Sequence, residues 1–378
     1  MNFELTQEQQ LLADTVRRVI EKDYAFEARK QIVASAEGHS PAVWNTFAEL
    51  GLMGLPISEA AGGFGGGATD MVAVMEAIGA GLVLEPYLST VGLVGRLVDR
   101  HGTDAQKQSL LPGVVEGSTR LALAHYEAGG RYSNAAVGLS ARAQGGGWVL
   151  DGDKIAVIDG PLADRLLVSA RTAGKPGDAA GISLFLVDAK APGVSMKTYR
   201  TQDSLRAAEV SLRGVSVGSD ARVGAEGAGL PILEEALDFA GALLCAEAVG
   251  AMKFACDTTL EYLKTRKQFG VTIGSFQALQ HRMVDMCIST EQARSITYLA
   301  CAKVGGDVSA AERARTVAAA RVKVADAARH VGQEAIQLHG GMGMTLEMKV
   351  SHTFKRLTML SQAFGDADYH LERFAAAA

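Results

Sequence analysis

The spacing of apolar residues predicts helices in the first third of the chain. Thr6 can cap a helix together with Gln9, and apolar residues follow at helical spacing from Leu12 onward. The glycine-rich stretch 61–67 follows no predicted strand, so it is typical of a loop between helices rather than of a dinucleotide-binding turn. We therefore expect residues 1–118 to form an N-terminal all-α domain.

Residues 119–228 carry short β-type runs separated by turn residues, which predicts a middle β domain. The runs with this pattern are 148–150, 155–158, 182–187 and 210–217. The pair Asp151-Gly152 lies between two of them, and both residue types tolerate positive φ, so this pair predicts a hairpin turn.

Residues 229–378 return to helical spacing, in long Ala-rich runs. Val317, Val324, Val331 and Leu338 repeat at intervals of seven, which predicts the buried face of a long helix. Three or four such helices with short connections predict a bundle whose remaining apolar faces serve oligomer contacts. The segregated order of helices, strands and helices is typical of the α+β class.

The composition is that of an ordinary globular protein. Of 378 residues, 48% are hydrophobic and 21% charged, and a net charge of -5 leaves no basic stripe for nucleic acid. The sequence starts without a leader-like segment, and we expect no membrane span and a cytoplasmic location. The cysteines show no CxxC spacing, which predicts inert core thiols and no metal site; they are Cys245, Cys256, Cys287 and Cys301.

Several strings occur in the order found in the acyl-CoA dehydrogenase superfamily, which this sequence resembles over nearly its whole length. They are LTQEQ at 5–9, ELGLMGL at 49–55, GGFG at 62–65, RKQFG at 266–270 and QLHGGMG at 337–343. Three further strings resemble the small subunit of pimeloyl-CoA dehydrogenase-like two-component enzymes: EARK at 27–30, LEPY at 84–87 and FGDAD at 364–368. The resemblance implies an N-terminal helical domain, a middle β-barrel domain and a C-terminal four-helix bundle.

The resemblance also implies a reaction. In this family a carboxylate removes the α-proton of an acyl-CoA while the β-hydrogen leaves as hydride to FAD, which yields a trans-2-enoyl-CoA, and electron-transfer flavoprotein accepts the electrons. The usual base position is Phe364 here, and the alternative position used by a minority of the family is Ala240. Gly241 stands where an Arg is common. Asp366 and Asp368 are weak substitute candidates, so we expect no catalytic residue in this chain.

The residues implied in flavin binding fall into two groups. In the β domain, the loop 125–132 lacks the usual Pro and Ser, Ala156 replaces an aromatic and Ile158 replaces a hydroxyl residue, so the cis half of the site is incomplete. The positions that would meet a neighbouring subunit's FAD are retained: Arg266, Gln268, Phe269, Gln277, Gln337, Gly340 and Gly341. An Arg suits diphosphate through paired charge-assisted bonds, and glycines allow close backbone approach.

The sequence leaves three functions open. The first is the small, base-lacking subunit of a heteromeric α2β2 acyl-CoA dehydrogenase, whose homologous large subunit supplies the base. The second is a self-sufficient homo-oligomeric dehydrogenase with a displaced carboxylate, and the third is a flavin-free scaffold or binding protein on the same fold. The resemblance implies fatty-acyl, dicarboxylyl or steroid side-chain thioesters. For His125 and His339 we expect structural or surface roles, because neither has a triad-like context.

Overall fold

The computed structural model describes residues 6–377, apart from the side chain of Glu8, so Leu5 of the LTQEQ string lies outside the described residues. The helices are α1 (Gln7–Asp23), α2 (Phe26–Ala34), α3 (Pro41–Glu49), α4 (Ala68–Gly81), α5 (Arg96–His101), α6 (Asp104–Val115), α7 (Gly229–Thr265), α8 (Gln277–Val304), α9 (Ala310–His339), α10 (Lys349–Leu360) and α11 (Ala367–Ala376). The strands are β1 (Leu121–Ala124), β2 (Ser140–Gln144), β3 (Gly147–Ile158), β4 (Arg165–Arg171), β5 (Ile182–Asp188), β6 (Val194–Arg200), β7 (Arg206–Val217), β8 (Arg222–Val223), β9 (Lys267–Gln268) and β10 (Val271–Thr272). This order of elements confirms the predicted α+β class.

The first helix begins with the predicted capping box. The Gln9 amide donates to the Thr6 hydroxyl at 3.2 Å, and the Thr6 amide donates to the Gln9 side chain at 2.9 Å. The same Gln9 side chain donates to Asp70 at 2.9 Å, and Asp70 in turn accepts from the Gly67 amide at 2.8 Å. One glutamine therefore stabilises the N-terminus of α1 and contacts the acid that caps α4.

The chain folds as two compact units. The first contains the described residues of 1–31, 67–83 and 241–378, and the second contains 32–66 and 84–240. Two of the boundaries fall inside helices, so the residues of α2 and of α7 are divided between the two units. The first unit is therefore assembled from three separate stretches of sequence.

In the first unit, α8, α10 and α11 pack against α9, and α1 and α8 pack against α4. The predicted heptad positions Val317, Val324, Val331 and Leu338 all lie buried along α9, as expected. This bundle of helices confirms the predicted C-terminal helical part. The later portion of α7 also crosses α4 at very close range. A Cβ at Gly79 would overlap the carbonyl of Glu247, and one at Gly250 would overlap that of Glu76.

Among the described residues, helix α7 alone is long and apolar enough to cross a membrane. Of its most hydrophobic 18-residue window, 89% is buried inside the fold. Burial of that kind is typical of a core helix, since an apolar surface already covered by protein does not need lipid to cover it.

The second unit contains an eight-stranded sheet in the order β6-β7-β3-β2-β4-β5-β8, with β1 added beside β4 in parallel. Its core is formed by alternating inward-facing side chains, among them Leu150, Val157, Val168, Phe185 and Val210. The predicted β domain is therefore present, with helices before and after it along the chain.

The predicted hairpin at Asp151-Gly152 is wrong. Both residues lie inside the continuous strand β3, where the register with β7 shifts beside Gly152 and the φ of Gly152 is 148°. The hairpin turn is formed instead by Gly145 and Gly146, with φ of 61° and 83°, which join β2 to β3. Two consecutive positive φ values favour glycine at both turn positions. The dipeptide Asp151-Gly152 instead marks a β-bulge, which favours the same residue types as a hairpin turn.

Three of the four cysteines are core thiols, as predicted. Cys245, Cys256 and Cys301 are buried, and burial raises the pKa of each thiol, that of Cys256 to about 12. Cys287 is exposed, so the prediction is wrong for this residue. It lies on the outward face of α8, beside the exposed Val284 and Ile288.

Candidate functional site

The turn between α10 and α11 carries the position at which the family-like pattern would place a base. Phe364 occupies this position with a left-handed φ of 57°, and Gly365 follows it. Asp366 is the N-cap of α11, where its Oδ1 accepts from the Tyr369 amide at 2.9 Å. Asp368 is exposed in the first turn of that helix. Asp366 thus caps a helix, and a phenyl ring stands at the position predicted for the base.

The buried side chain of Arg321 forms hydrogen bonds with this turn. Its Nη2 donates to the carbonyl oxygens of Leu360 at 2.8 Å and Ala363 at 2.5 Å, and only 2% of the residue is exposed. These carbonyls are the unsatisfied acceptors at the C-terminus of α10, where a cation is favourable. Gly241 lies beside the same side chain, since a Cβ there would come 3.8 Å from Arg321 Cδ. The Arg321 side chain therefore fixes the turn through the carbonyl oxygens of its main chain.

The alternative base position, Ala240, is fully buried in α7. An alanine methyl in this environment supplies packing and no proton acceptor. Neither proposed base position therefore carries a carboxylate, as the sequence predicts, while the roles of Asp366 and Asp368 stay predictions.

His370 lies under the Phe364 turn and is the most perturbed histidine of this region. Burial, together with the charges of Arg321 and Arg373, lowers its pKa to about 3. The folded protein then keeps this ring neutral while the unfolded chain protonates it below its ordinary pKa near 6.5. The stability of the fold is unaffected by His370 above pH 6.5 and falls as the pH drops toward 3.

A His370→Leu variant should therefore resist acid better than the wild type. From pH 8 to pH 5, the difference in unfolding free energy between the two proteins should shift by about 2 kcal/mol in favour of the variant. Urea unfolding at both pH values measures this shift. The matched substitution of an exposed histidine, His281→Leu, should show none of it, and an equal shift in both variants would contradict the assignment.

In the β domain, the two positions predicted to lack flavin contacts lie at an irregularity of β3. The ladder between β3 and β7 is interrupted between Lys154 and Val157, and Ala156 is exposed there with φ of 52°. Ile158 is partly buried and pairs with Ala207. The exposed methyl group of Ala156 offers no aromatic surface on which an isoalloxazine ring could pack. The side chain of Ile158 offers no polar group to which that ring could hydrogen-bond.

A buried charge cluster that the sequence analysis missed lies directly before this irregularity. The fully buried Lys154 Nζ contacts Glu127 Oε1 at 2.6 Å, and it donates to the His125 carbonyl and the Ser169 hydroxyl, both at 3.0 Å. Burial lowers the pKa of Lys154 to about 8, while Glu127 acts in the opposite direction. A lysine at an inward-facing strand position was the available signal, because such a residue needs a buried partner.

The loop 125–139 is tied down by this cluster. Glu127 accepts from the amides of Gly138 at 2.8 Å and Leu139 at 3.0 Å, and the His125 ring lies 2.9 Å from Ser169 Oγ. Burial first, and then the charge of Lys154, lowers the pKa of His125 to about 3, so this ring is neutral. The loop is thus fixed by its own ion pair, which accords with a structural role for His125.

The retained flavin positions lie on the surface of the first unit. Arg266 follows α7 and leads into the β9–β10 hairpin, whose tip is Phe269 at φ 55° and 91% exposed. The Arg266 guanidinium has no hydrogen-bond or ion-pair partner within residues 6–377. Gln268 is exposed in the same hairpin, and the exposed Gln277 begins α8.

The second group of retained positions ends α9. Gln337, Gly340 and Gly341 are exposed, and a Cβ at either glycine would meet nothing within 4 Å, so the main chain is open to a ligand. His339 is buried instead, stacks on Tyr262 with ring centroids 4.5 Å apart, and its Nδ1 lies 2.8 Å from the Ala335 carbonyl. This stack holds the C-terminal ends of α7 and α9 together, and with them the two groups of flavin positions.

The two halves of the implied flavin site therefore differ in how well they suit FAD. The exposed arginine, glutamines and open glycines of the first unit fit a diphosphate-bearing cofactor. The β3 positions of the second unit do not fit its ring system. Within the described part of the chain, no group of His, Cys, Asp and Glu side chains could hold a metal ion.

Three families of known domains match the sequence in this order: acyl-CoA dehydrogenase N-terminal domain at 6–118, middle domain at 122–215, and C-terminal domain at 227–378. A short-chain-specific acyl-CoA dehydrogenase of Clostridium acetobutylicum is 30% identical over 365 residues, which cover 94% of this chain and 93% of the relative.

Two solved structures, each named after two proteins, are also similar to this chain. The ChsE4–ChsE5 complex of Mycobacterium tuberculosis superposes with a TM-score of 0.90 at 27% identity, covering 100% of this chain and 98% of that one. A variant of the steroid ACAD Tcur3481–Tcur3483 superposes with a TM-score of 0.88 at 30% identity, covering 98% of this chain and 97% of that one.

Proposed function

The chain belongs to the acyl-CoA dehydrogenase family, and we propose that it is the small, base-lacking subunit of a heteromeric member. Its chemistry is oxidation of a CH–CH bond, as in its relatives. The observation that carries the proposal is the turn after α10, where Phe364 stands at the predicted base position and the next carboxylate along the chain, Asp366, caps α11.

FAD is the cofactor of this family, and it supplies the acceptor for the hydride. We propose that this chain completes the FAD site of its partner through Arg266, Gln268, Phe269, Gln277, Gln337, Gly340 and Gly341. Arg266 would meet the diphosphate through its planar fork, and the open main chain at Gly340 and Gly341 would approach the cofactor closely. The exposed state of these residues in the single chain supports a role in contact with another subunit.

We propose a homologous large subunit as the partner, in an α2β2 assembly, with electron-transfer flavoprotein as the electron acceptor. The two-protein names of two structural neighbours support a heteromeric assembly. In this assembly the partner supplies the carboxylate base and the β-domain contacts to FAD. The resemblance to a pimeloyl-type small subunit, the segments 1–118, 119–228 and 229–378 as three domains, and a cytoplasmic location belong to the same proposal.

The substrate would be an acyl-CoA thioester of fatty-acyl, dicarboxylyl or steroid side-chain type. One neighbour is named a steroid enzyme and one relative is named short-chain specific, so these names support the thioester class and favour no single acyl group. The partner's pocket would determine which acyl group is accepted.

Expression of this chain alone and together with its large-subunit homologue tests the proposal. We expect the single chain to carry less than about one flavin per ten chains and to show no dye-linked acyl-CoA oxidation, because one half of its FAD site is incomplete. The co-expressed pair should be yellow and active. A yellow, active single chain would rule the proposal out.

The Asp366→Asn variant of the co-expressed pair tests whether Asp366 is a helix cap or a displaced catalytic base. The amide oxygen of asparagine can still cap α11, so we expect unchanged turnover and a loss of stability below about 1 kcal/mol. Asp368→Asn should be equally silent. Loss of turnover by more than about a hundredfold in either variant would instead identify the catalytic base.

A further inference from the structure

The aromatic side chain of Tyr199 lies on the outer face of the β sheet, on the same side as the positions where flavin contacts are missing. In the antiparallel ladders, Ala207 of β7 pairs with Ile158 of β3 on one side and with Tyr199 of β6 on the other. Residues directly opposite each other in neighbouring strands present their side chains on the same face. Ile158, Ala207 and Tyr199 therefore form one row across three strands.

This row lies on the face of the sheet that points away from its core. The neighbouring residues Val157 and Ala208 belong to the sheet core, and side chains alternate along each strand. Ile158, at which the family pattern places a flavin-binding hydroxyl, is in the row itself. Tyr199 thus shares a face with the incomplete cis half of the flavin site.

The Tyr199 side chain lies next to Ala207 in this row, and the Ala207 side chain is fully buried although it lies on the outer face of the sheet. The interrupted ladder between Lys154 and Val157 leaves the Ala156 amide outside the pairing with β7. The main chain of Ala156 acts against the raised pKa of the Tyr199 phenol, which accords with a ring that extends from β6 toward β3.

We infer that Tyr199 occupies the sheet surface on which an isoalloxazine ring would lie, and so excludes flavin from the cis half of this chain's own site. The inference rests on the proposed function and deepens it, because it assigns a residue that blocks flavin in addition to the contacts that are lost. Tyr199 keeps 40% of its surface exposed, and it is a neutral phenol at neutral pH, since burial and the charge of Glu209 raise its pKa. Its ring therefore occupies the surface as an uncharged group.

The experiment compares FAD binding to three forms of the full-length chain expressed alone. The first is the double variant Ala156→Trp with Ile158→Thr, which returns the missing contacts. Ala156 already carries a Cβ at its positive φ, so the larger side chain adds no new strain at that Cα. The second adds Tyr199→Ala to this pair. The third adds Lys197→Ala instead, which removes an exposed side chain from the same face of β6.

We expect the variant that lacks Tyr199 to bind FAD at least about tenfold more tightly than the double variant, as judged by quenching of flavin fluorescence. The Lys197→Ala control should bind as the double variant does. Affinities within threefold of each other with and without Tyr199, or undetectable binding by both proteins, would overturn the inference. Circular dichroism and thermal melting of each protein establish that the comparison is between folded chains.

The failure of this inference can be told apart from failure of the proposed function. Stoichiometric FAD on the unmodified chain expressed alone contradicts the proposed function. An unmodified chain without flavin, together with equal affinities of the variants with and without Tyr199, leaves the proposed function intact and removes only the role of Tyr199.

Discussion

A Lys154→Met variant is expected to unfold with a free energy about 3–5 kcal/mol lower than that of the wild type. The lysine ammonium is fully buried and lies 2.6 Å from Glu127, whose side chain is 17% exposed. Methionine fills a similar volume but leaves the Glu127 carboxylate charged in a site that water reaches poorly. The two loop amides that donate to Glu127 soften this loss, so the effect should fall near the lower end of the range. Urea unfolding at pH 7, below the lowered pKa of Lys154 near 8, measures it.

The exposed pair Lys197–Glu209 provides a matched control in the same sheet. Its atoms are 3.4 Å apart and its side chains are 80% and 51% exposed, so Lys197→Met should change the unfolding free energy by less than about 1 kcal/mol. If the two variants lose similar stability, the buried pair does not fix the loop in the way that its geometry indicates.

In the co-expressed pair, Arg266→Gln is expected to weaken FAD binding by about a hundredfold. Two charge-assisted bonds between a guanidinium and a diphosphate are the strongest contacts that this chain would make with the cofactor, and a neutral amide cannot replace them. The side chain is exposed in the chain by itself, so its removal should not disturb the fold. Ultrafiltration of the purified pair at graded FAD concentrations gives the dissociation constant, and size-exclusion chromatography confirms that the pair remains assembled.

Lys267→Gln is the control for this experiment, because it removes one positive charge from the next residue of the same exposed hairpin. A general electrostatic effect would weaken FAD binding equally in both variants. A specific contact of Arg266 instead predicts that the dissociation constant for FAD changes by less than about threefold in Lys267→Gln. Unaltered affinity in Arg266→Gln would remove this chain from the FAD site of its partner.

The sequence predicted the fold class because its hydrophobic period changes twice, from helical to strand-like and back. It also predicted the capping box at Thr6 and the buried heptad positions of α9, since local spacing alone determines both. It failed at Asp151-Gly152, because the turn preference of this pair does not distinguish a hairpin from a bulge inside a longer strand. Exposure of Cys287 depends on which face of α8 is covered, and spacing did not reveal this.

In the candidate site, the sequence predicted only those features that follow from a missing residue type. Phe364 lacks a carboxylate whatever its environment. The partners of Lys154 and Arg321 lie 15 to 44 residues away, and Tyr199 lies on a different strand from the residues of its row, so their surroundings depend on tertiary contacts that the sequence pattern does not contain. Their contacts became visible only in the three-dimensional structure.

The discontinuous first unit has a consequence for the order in which the protein folds during synthesis. Its helices α1 and α4 are made early, but α4 packs with α8 and crosses the later part of α7, which includes Gly250, and both partners of α4 are made after residue 240. The second unit, 32–66 and 84–240, is complete once residue 240 has left the ribosome. Domains tend to fold as units during synthesis, so the sheet should form first while the apolar surfaces of the early helices remain uncovered. A shortage of chaperones should therefore harm this chain most while its last third is still being made.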